Sequence, residues 1–351
     1  MNIVLLQNHS GHYFRIQHLI NTLKIKNKVV EIEKIEDIHH ESFDVLLVEY
    51  YSAHTSDPHK EMCDRINSFK DNFMKFKGQI ILYNVDDGQA VYITELDIDI
   101  AHRIDAWFVY MKHDGFLNCN LKIKDILQNK FVLIPRYTLP YVKSSDVIYE
   151  NKQNKIVFIG NTTGNYWFNG KNWRVECLNK IWDNSFLRDH FDGWLVNDHI
   201  IDIPYQDEDY NKTFKFVKKD HYLSEADWYN KLKNNTLSLC IPGHTKYGYR
   251  HPQSMTFKST MLANFDLESD PYPWLFSDKL KDISYVVKND LSNFVEICEE
   301  SLLNKEKTKT YAYNAYDVYK TYLEPTEQNT YQDHVWSVVK EQFENLNIYD
   351  F

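Results

Sequence analysis

A chain of 351 residues, of which 43% are apolar and 26% charged, has the composition of a globular protein and the length of two domains. Its formal net charge of −10 would repel a nucleic-acid backbone, so a dedicated nucleic-acid binder is disfavoured. No apolar stretch approaches the ~20 residues of a membrane span, and the first apolar run is too short for a signal peptide, so we expect a cytoplasmic protein. The cysteines are far apart and form no CxxC pair, which indicates neither a disulfide framework nor a zinc site.

Apolar runs in the first part of the chain predict a series of buried strands. They lie at residues 2–6, 29–32, 43–50, 78–83, 106–110 and 130–134. Helical periodicity is expected at 14–23 and at 59–75. Continuous apolar runs are typical of parallel strands that are covered on both faces. The alternation therefore predicts a doubly wound α/β domain over residues 1–142.

A second α/β series follows a polar, proline-containing stretch that ends near residue 154. Strands are predicted at 155–160, 237–241 and 283–287, and helices at 173–182, 225–232, 290–303 and from 308 onward. We assign residues 155–330 to this second domain and 331–351 to a C-terminal helix that packs back on the first domain. Two such domains would leave a cleft at the carboxyl ends of their strands, where ligands bind in α/β proteins.

The most informative stretch of the second domain runs from residue 234 to residue 268. A short apolar strand ends in Pro242-Gly243, and a polar loop leads to Arg250, three residues ahead of Gln253. A strand, a glycine loop and a basic residue before a helix together place N–H groups and a guanidinium on a diphosphate. The predicted helix would carry Met255, Thr256, Ser259 and Thr260 towards the apolar patch at 261–265.

The order of motifs in the second domain resembles a known family. The order begins with a strand that ends in FIGN, a Thr/Gly turn and a helix with an early Arg174. It continues with LSEADWYNKL, LSLCIPG, Arg250, Gln253 and DPYPW. This order resembles the nucleotide-sugar half of glycosyltransferases with two Rossmann-like domains facing a cleft, the GT-B architecture. Exostosin-like enzymes, CAP10-like enzymes and phage DNA β-glucosyltransferases are the similar groups, and the likeness covers about residues 155–300.

The resemblance implies a donor site for a nucleoside-diphosphate sugar, with a UDP-sugar favoured. Arg174 and Arg250 would supply charge to the diphosphate, and Gln253 stands where such enzymes usually have a Glu that binds the ribose hydroxyls. The family usually has a Gly in the following helix, where this chain has Lys258 and Ser259. The remaining implied donor residues, which include the N–H groups of the turn, are Gly160, Asn161, Thr162, Thr163, Tyr222 and Gly243.

Two residues of the first domain are candidates for the general base, which must reach the acceptor hydroxyl in its deprotonated form. Gly11-His12 resembles the GH start of many inverting enzymes of this architecture. Asp86 follows a strand where phage β-glucosyltransferases carry their catalytic Asp. Asp97-Ile98-Asp99 matches the DxD motif of metal-dependent glycosyltransferases, but it is common by chance and we discount it.

The sequence thus predicts a glycosyltransferase, inverting and without an obligatory metal or other cofactor. The acceptor would be a glycan, a lipid-linked sugar or a small molecule. Gln253 and Lys258 leave open a non-catalytic nucleotide- or sugar-binding protein derived from the same family. The phage resemblance leaves open a DNA-modifying glucosyltransferase, against which the acidic balance argues. The absence of GxGxxG, Walker and GxSxG motifs disfavours dehydrogenases, NTPases and hydrolases.

Overall fold

A computed structural model describes the protein at residues 1–6, 23–24, 27–38, 42–50, 58–84, 95–109, 121–127, 130–133, 147–161, 173–197, 217–219, 223–241, 250–264 and 280–323. The chain divides into two compact units, with the described residues up to Leu133 in the first and those from Val147 to Leu323 in the second. The predicted domain boundaries at 142, 155 and 330 stay predictions. The predicted helix at 331–351 lies outside the described residues.

The first unit is built on a parallel sheet. Its described strands are β1 (Asn2–Leu6), β2 (Lys28–Ile32), β3 (Val45–Tyr50), β4 (Gln79–Asn84), β5 (Ala106–Val109) and β6 (Phe131–Leu133), in the order β2-β1-β3-β4-β5-β6. Its described helices are α1 (Pro58–Ser68), α2 (Lys70–Lys75), α3 (Ile98–Arg103) and α4 (Leu121–Leu127), with a 3-10 turn at Ile35–Asp37. All predicted strands of this unit are confirmed, and every described strand pair is parallel.

The helices of the first unit differ from the prediction in two places. The helix predicted at 59–75 is interrupted at Phe69, and the short helices α3 and α4 were not predicted. The DxD match belongs to α3, where Asp97 caps the helix by accepting from the N–H of Asp99 at 2.8 Å. Lys70 Nζ binds the carboxylates of Asp97 at 2.8 Å and Asp99 at 2.6 Å. Asp97-Ile98-Asp99 therefore forms a helix cap whose two carboxylates bind a lysine. This agrees with our discounting of the DxD match.

The second unit repeats the architecture with another strand order. Its described strands are β7 (Gln153–Asn161), β8 (Phe191–Asn197), β9 (Val217–Lys219), β10 (Asn235–Cys240), β11 (Thr260–Ala263) and β12 (Ser284–Val286), in the parallel order β12-β11-β10-β7-β8-β9. Its described helices are α5 (Trp173–Asp183), α6 (Ser185–Asp189), α7 (Glu225–Asn234), α8 (Arg250–Thr256), α9 (Leu280–Ile283), α10 (Phe294–Leu303) and α11 (Lys305–Val318), followed by a π-helical turn at Tyr319–Leu323. The chain runs from β7 outward to β9 and then returns to β10 on the other side of β7. The strand order therefore switches between β7 and β10, the point at which doubly wound folds bind ligands.

Strand β8 was not predicted, and its sequence FDGWLVN shows why. Gly193 lies opposite Phe158 of β7, and a Cβ added to it would come within 1.9 Å of the Phe158 carbonyl oxygen. The neighbouring Asp192 forms an ion pair with Lys231 of α7. The close approach of the Phe158 backbone demands a glycine at 193, and the ion pair with Lys231 uses a carboxylate at 192. The strand therefore has no continuous apolar run.

Helix α8 ends earlier than predicted. The N–H of Lys258 donates to the Met255 carbonyl at 3.1 Å, and that of Ser259 donates to the Ser254 carbonyl at 2.9 Å. These two bonds form a Schellman motif, in which the residue after the helix adopts a left-handed conformation. Lys258 occupies that position with φ 51°. The prediction that Ser259 and Thr260 belong to the helix is therefore wrong, and Thr260 instead begins β11.

Candidate functional site

The described residues predicted to hold a diphosphate meet at the switch point of the second sheet. Gly160 is the second-last residue of β7, and Arg250 begins α8, the helix that follows β10. Both β7 and β10 point their carboxyl ends towards this edge because the two strands are parallel neighbours. The sheet thus brings together two residues that are 90 positions apart in sequence.

The Arg250 side chain is held from three directions. Its Nη2 donates to the Ile159 carbonyl of β7 at 2.6 Å. Its guanidinium lies 4.5 Å from the centre of the Phe158 ring and 5.4 Å from that of the Trp228 ring of α7. Cation–π contacts of this kind fix a guanidinium plane at low entropic cost. The structure therefore presents the Arg250 guanidinium in a defined orientation.

Arg250 retains hydrogen-bonding capacity. A guanidinium has five N–H donors, and Nε of Arg250 is buried with no acceptor among the residues that the structure describes. No carboxylate of the described residues forms an ion pair with it. A buried guanidinium with unused donors is the side chain that suits a phosphate or carboxylate ligand.

Gly160 makes room for this arrangement. A Cβ at this position would lie 3.0 Å from Phe158 Cζ and 3.5 Å from Arg250 Nη2. The first distance is tighter than ordinary van der Waals contact, so a larger residue would require the Phe158 ring, on which the guanidinium rests, to shift by a few tenths of an ångström. The glycine at the end of β7 thus suits the packing around Arg250, which the sequence alone does not reveal.

Arg174, in the first turn of α5, adds a second positive charge to the same site. Burial and, after it, the nearby Arg250 charge lower the pKa of Arg174 to about 9. Burial also lowers the pKa of Arg250 to about 10, with only the Cys240 thiol acting in the opposite direction. Both groups are cationic at neutral pH, and the charge of Arg250 disfavours that of Arg174. A bound anion would relieve this repulsion.

Gln253 lies one helical turn after Arg250 and faces the same tryptophan. The indole Nε1 of Trp228 donates to Oε1 of Gln253 at 2.9 Å. Trp228 thus contacts both Arg250 and Gln253, although the sequence analysis did not select it as a site residue. Ser224 is the N-cap of α7, and its Oγ accepts from the N–H of Asp227 at 3.1 Å, in the turn of the helix that precedes Trp228.

Comparison with solved structures finds proteins of the same architecture. WaaG, a glycosyltransferase involved in lipopolysaccharide biosynthesis, matches with a TM-score of 0.53 at 11% identity over 97% of this chain and 99% of that one. An α,α-trehalose-phosphate synthase (UDP-forming) from Burkholderia xenovorans gives 0.54 at 9% identity over 97% and 80%. The catalytic domain of starch synthase IV from Arabidopsis thaliana, bound to ADP and acarbose, gives 0.52 at 10% identity over 86% and 73%. Neither the protein-family models nor the curated proteins contain a match.

The chain has the GT-B fold. The predicted fold class, two Rossmann-like α/β domains, is thereby confirmed. The finer likeness to exostosin-like, CAP10-like and phage DNA enzymes stays a prediction.

The other predicted site residues are only partly accounted for within this fold. Asn161 is the last residue of β7 and pairs with Val196 of β8. The remaining candidates lie outside the described residues: His12, Asp86, Thr162, Thr163, Tyr222 and Gly243.

Lys258, a departure from the family pattern, has a structural role away from the arginines. Its Nζ donates to the Val147 carbonyl at 2.9 Å and lies 4.6 Å from the centre of the Tyr316 ring. The Gly that the family usually has here suits the left-handed conformation at the end of α8. Lys258 is therefore no argument that the donor site has decayed.

Two further findings concern the described residues alone. They contain no group of three or more His, Cys, Asp or Glu side chains that could hold a metal ion. They also contain no helix with both the length and the apolar character needed to cross a membrane.

Proposed function

We propose that the protein is a glycosyltransferase that moves a sugar from a nucleoside-diphosphate sugar to an acceptor hydroxyl. The observation that carries the proposal is the oriented Arg250 guanidinium, beside Arg174, at the switch point of the second sheet. The GT-B fold supports it, since the similar structures include a UDP-forming synthase and a starch synthase bound to ADP. A UDP-sugar is the favoured donor, and ADP-sugars are the next candidates.

In the proposed reaction the two arginines stabilise the leaving group, which is the nucleoside diphosphate. When the bond between the anomeric carbon and the diphosphate oxygen breaks, negative charge grows on the diphosphate. Fixed cations in a site with little water stabilise that charge without reorganising during the reaction. This supports transfer without an obligatory metal, because the positive charge is supplied by the protein.

The acceptor side of the reaction rests on sequence alone. In the proposed inverting mechanism Asp86 or His12 takes the proton of the acceptor hydroxyl as its oxygen bonds to the anomeric carbon. A glycan, a lipid-linked sugar or a small molecule remains the proposed acceptor, and a cytoplasmic location remains a prediction. The net charge of −10 continues to argue against DNA as the acceptor.

The alternative is a protein that binds a nucleotide or sugar without catalysing transfer. Gln253 is the one remaining feature that favours it, because an amide carries no charge where the family usually has a carboxylate.

A thermal-shift panel of UDP, GDP, CMP, ADP and dTDP, each with and without its sugar, tests the donor site. A ligand at ~100 times its dissociation constant adds about 2.7 kcal/mol to the free energy of unfolding, which is visible as a shift of a few degrees. We expect a shift with UDP or ADP and none with CMP. No shift with any nucleotide would contradict the proposal.

Slow hydrolysis of the donor then separates the enzyme from the binder. Transferases release sugar to water at a low rate when no acceptor is present, whereas an inert binder does not. Tight nucleotide binding with no release of sugar over days would favour the non-catalytic alternative.

A further inference from the structure

We propose that Trp228 is a positioning residue, whose ring holds the Arg250 guanidinium in the orientation that binds a diphosphate. Trp228 acts on the donor site through Arg250 and need not touch the ligand itself. Because Arg250 is the proposed partner of the diphosphate, this role of Trp228 rests on the proposed function.

Trp228 contacts the guanidinium from a different element than the other two groups that hold it. The Ile159 carbonyl, which accepts from Arg250 Nη2 at 2.6 Å, and the Phe158 ring, at 4.5 Å, both belong to β7. The Trp228 ring belongs to α7, and its centre lies 5.4 Å from the guanidinium. Without this ring, the two remaining contacts would come from one strand, and the guanidinium could turn away from it.

Trp228 is itself held in place. Its Nε1 donates to Oε1 of Gln253 at 2.9 Å, and Gln253 belongs to α8, the helix that begins at Arg250. Its ring also packs against a cluster of buried residues, namely Val147, Val157, Tyr229, Leu232 and Phe257. The indole is therefore tied both to the helix that carries Arg250 and to the interior of the second unit. A ring that is fixed on two sides can restrict the neighbouring guanidinium.

The orientation of Arg250 matters because of the shape of its charged group. A guanidinium is planar, and its donors match two phosphate oxygens only when its edge is directed at them. An arginine without orienting contacts must order its side chain when an anion binds, and this cost weakens the affinity. A cation–π contact at a partly desolvated site is strong enough to change a dissociation constant by about tenfold. Removal of the ring should therefore weaken anion binding although both arginine charges remain.

Calorimetric titration of the full chain with inorganic pyrophosphate tests this role. We expect Trp228→Leu, which lacks the ring, to raise the Kd about tenfold, and Trp228→Phe, which retains a ring, to raise it less than about threefold. The matched control is Trp182→Leu, because the Trp182 ring lies 5.1 Å from the guanidinium of Arg188 and both tryptophans are half-buried. This control should leave the Kd unchanged, since neither Trp182 nor Arg188 contacts Arg250.

A second background separates positioning of Arg250 from a general structural role. Arg250→Lys retains the charge, but an ammonium is a compact group with no plane to orient. Trp228→Leu should therefore change the Kd of pyrophosphate by less than about twofold when it is added to Arg250→Lys. A loss of about tenfold in both backgrounds would show that Trp228 shapes the site without acting through Arg250, and would overturn the positioning role.

The outcomes also separate this role from the proposed function. Wild-type protein that binds pyrophosphate, with a Trp228→Leu variant that binds it equally well, would overturn the role of Trp228 alone. Trp228→Phe decides the case if the leucine variant does not fold, because a loss of about tenfold with a ring still present would exclude orientation by the ring. Wild-type protein that binds neither pyrophosphate nor UDP would overturn the proposed function together with this role.

Discussion

Arg250 and Arg174 bring two like charges into one partly buried site. Burial opposes the charge of each, and Arg250 further lowers the pKa of Arg174. An anionic ligand would favour the charged form of both groups. We therefore expect each arginine to contribute to the affinity for a diphosphate.

Replacing Arg174 with Met tests its part in the donor site. The change should weaken UDP binding at least about tenfold, because a charged hydrogen-bond donor to the diphosphate is lost. Calorimetry measures the affinity, and urea denaturation checks that the variant is folded. A folded variant that binds UDP normally would show that Arg174 is a structural residue.

Lys258 offers a second test at the residue scale. Glycine at its left-handed position should relieve about 1 kcal/mol of backbone strain. The change also removes the bond to the Val147 carbonyl and the contact with Tyr316, which together contribute a similar amount. We expect Lys258→Gly to change the free energy of unfolding by less than about 1 kcal/mol and the Kd of UDP not at all. A tenfold change in that Kd would place Lys258 in the donor site.

At the scale of elements, one lysine joins the ends of three segments in the second unit. Lys152 Nζ donates to the Leu232 carbonyl of α7 at 2.6 Å, the Asn235 carbonyl of β10 at 3.0 Å and the Ser259 hydroxyl at 3.1 Å. Burial and, secondarily, the charge of Lys258 lower the pKa of Lys152 to about 7. The three acceptors are neutral, so no carboxylate among them compensates the ammonium charge.

This environment predicts a dependence of stability on pH. Between about pH 7 and the normal lysine range the unfolded chain binds more protons than the folded chain, so stability should rise with pH in that window. Below about pH 7 both states are protonated and the contribution of Lys152 becomes constant. Urea denaturation at pH 7.0 and pH 9.0 should therefore show a larger gain for the wild type than for Lys152→Met. Equal gains in the two proteins would show that Lys152 does not titrate in this window.

The strands of this protein could be predicted from sequence more reliably than its helices. Buried parallel strands such as β3 and β4 are continuous apolar runs, and such runs predicted all described strands of the first sheet but only β7, β10 and β12 of the second. Strand β8 was not predicted because two of its residues interact with residues far away in sequence. Gly193 packs closely against the backbone of Phe158, and Asp192 forms an ion pair with Lys231. The end of α8 was misplaced because the left-handed residue is a lysine, where a glycine would have marked the boundary.

The residues of the candidate site, like the strands, could be predicted from the sequence only in part. Arg250, Arg174 and Gly160 could be selected because they occupy positions that match family motifs. Trp228 could not, because a tryptophan on a helix usually serves packing, and its contacts with residues 22 and 25 positions later appear only in the fold.

At the scale of the whole molecule, the two units share a parallel α/β architecture but differ in strand order. The second unit places its switch point between β7 and β10, where the described donor residues meet. In the first unit the corresponding reversal lies between β1 and β3. Both units therefore have a switch point, and the proposal that the second unit binds the donor rests on Arg250 and Arg174.

At the same scale, Arg250 is the residue that we propose to hold the diphosphate of a nucleotide. Calorimetric titration of UDP into the wild type and Arg250→Ala measures it directly. The matched control is Arg188→Ala, since Arg188 of α6 also lies over a tryptophan ring, that of Trp182 at 5.1 Å, and donates to the Trp182 carbonyl at 3.1 Å, but is itself exposed. We expect a loss of affinity of about a hundredfold or more in Arg250→Ala, the effect of removing a buried charged donor, and no change in Arg188→Ala. Unchanged UDP affinity in a correctly folded Arg250→Ala variant would contradict the account.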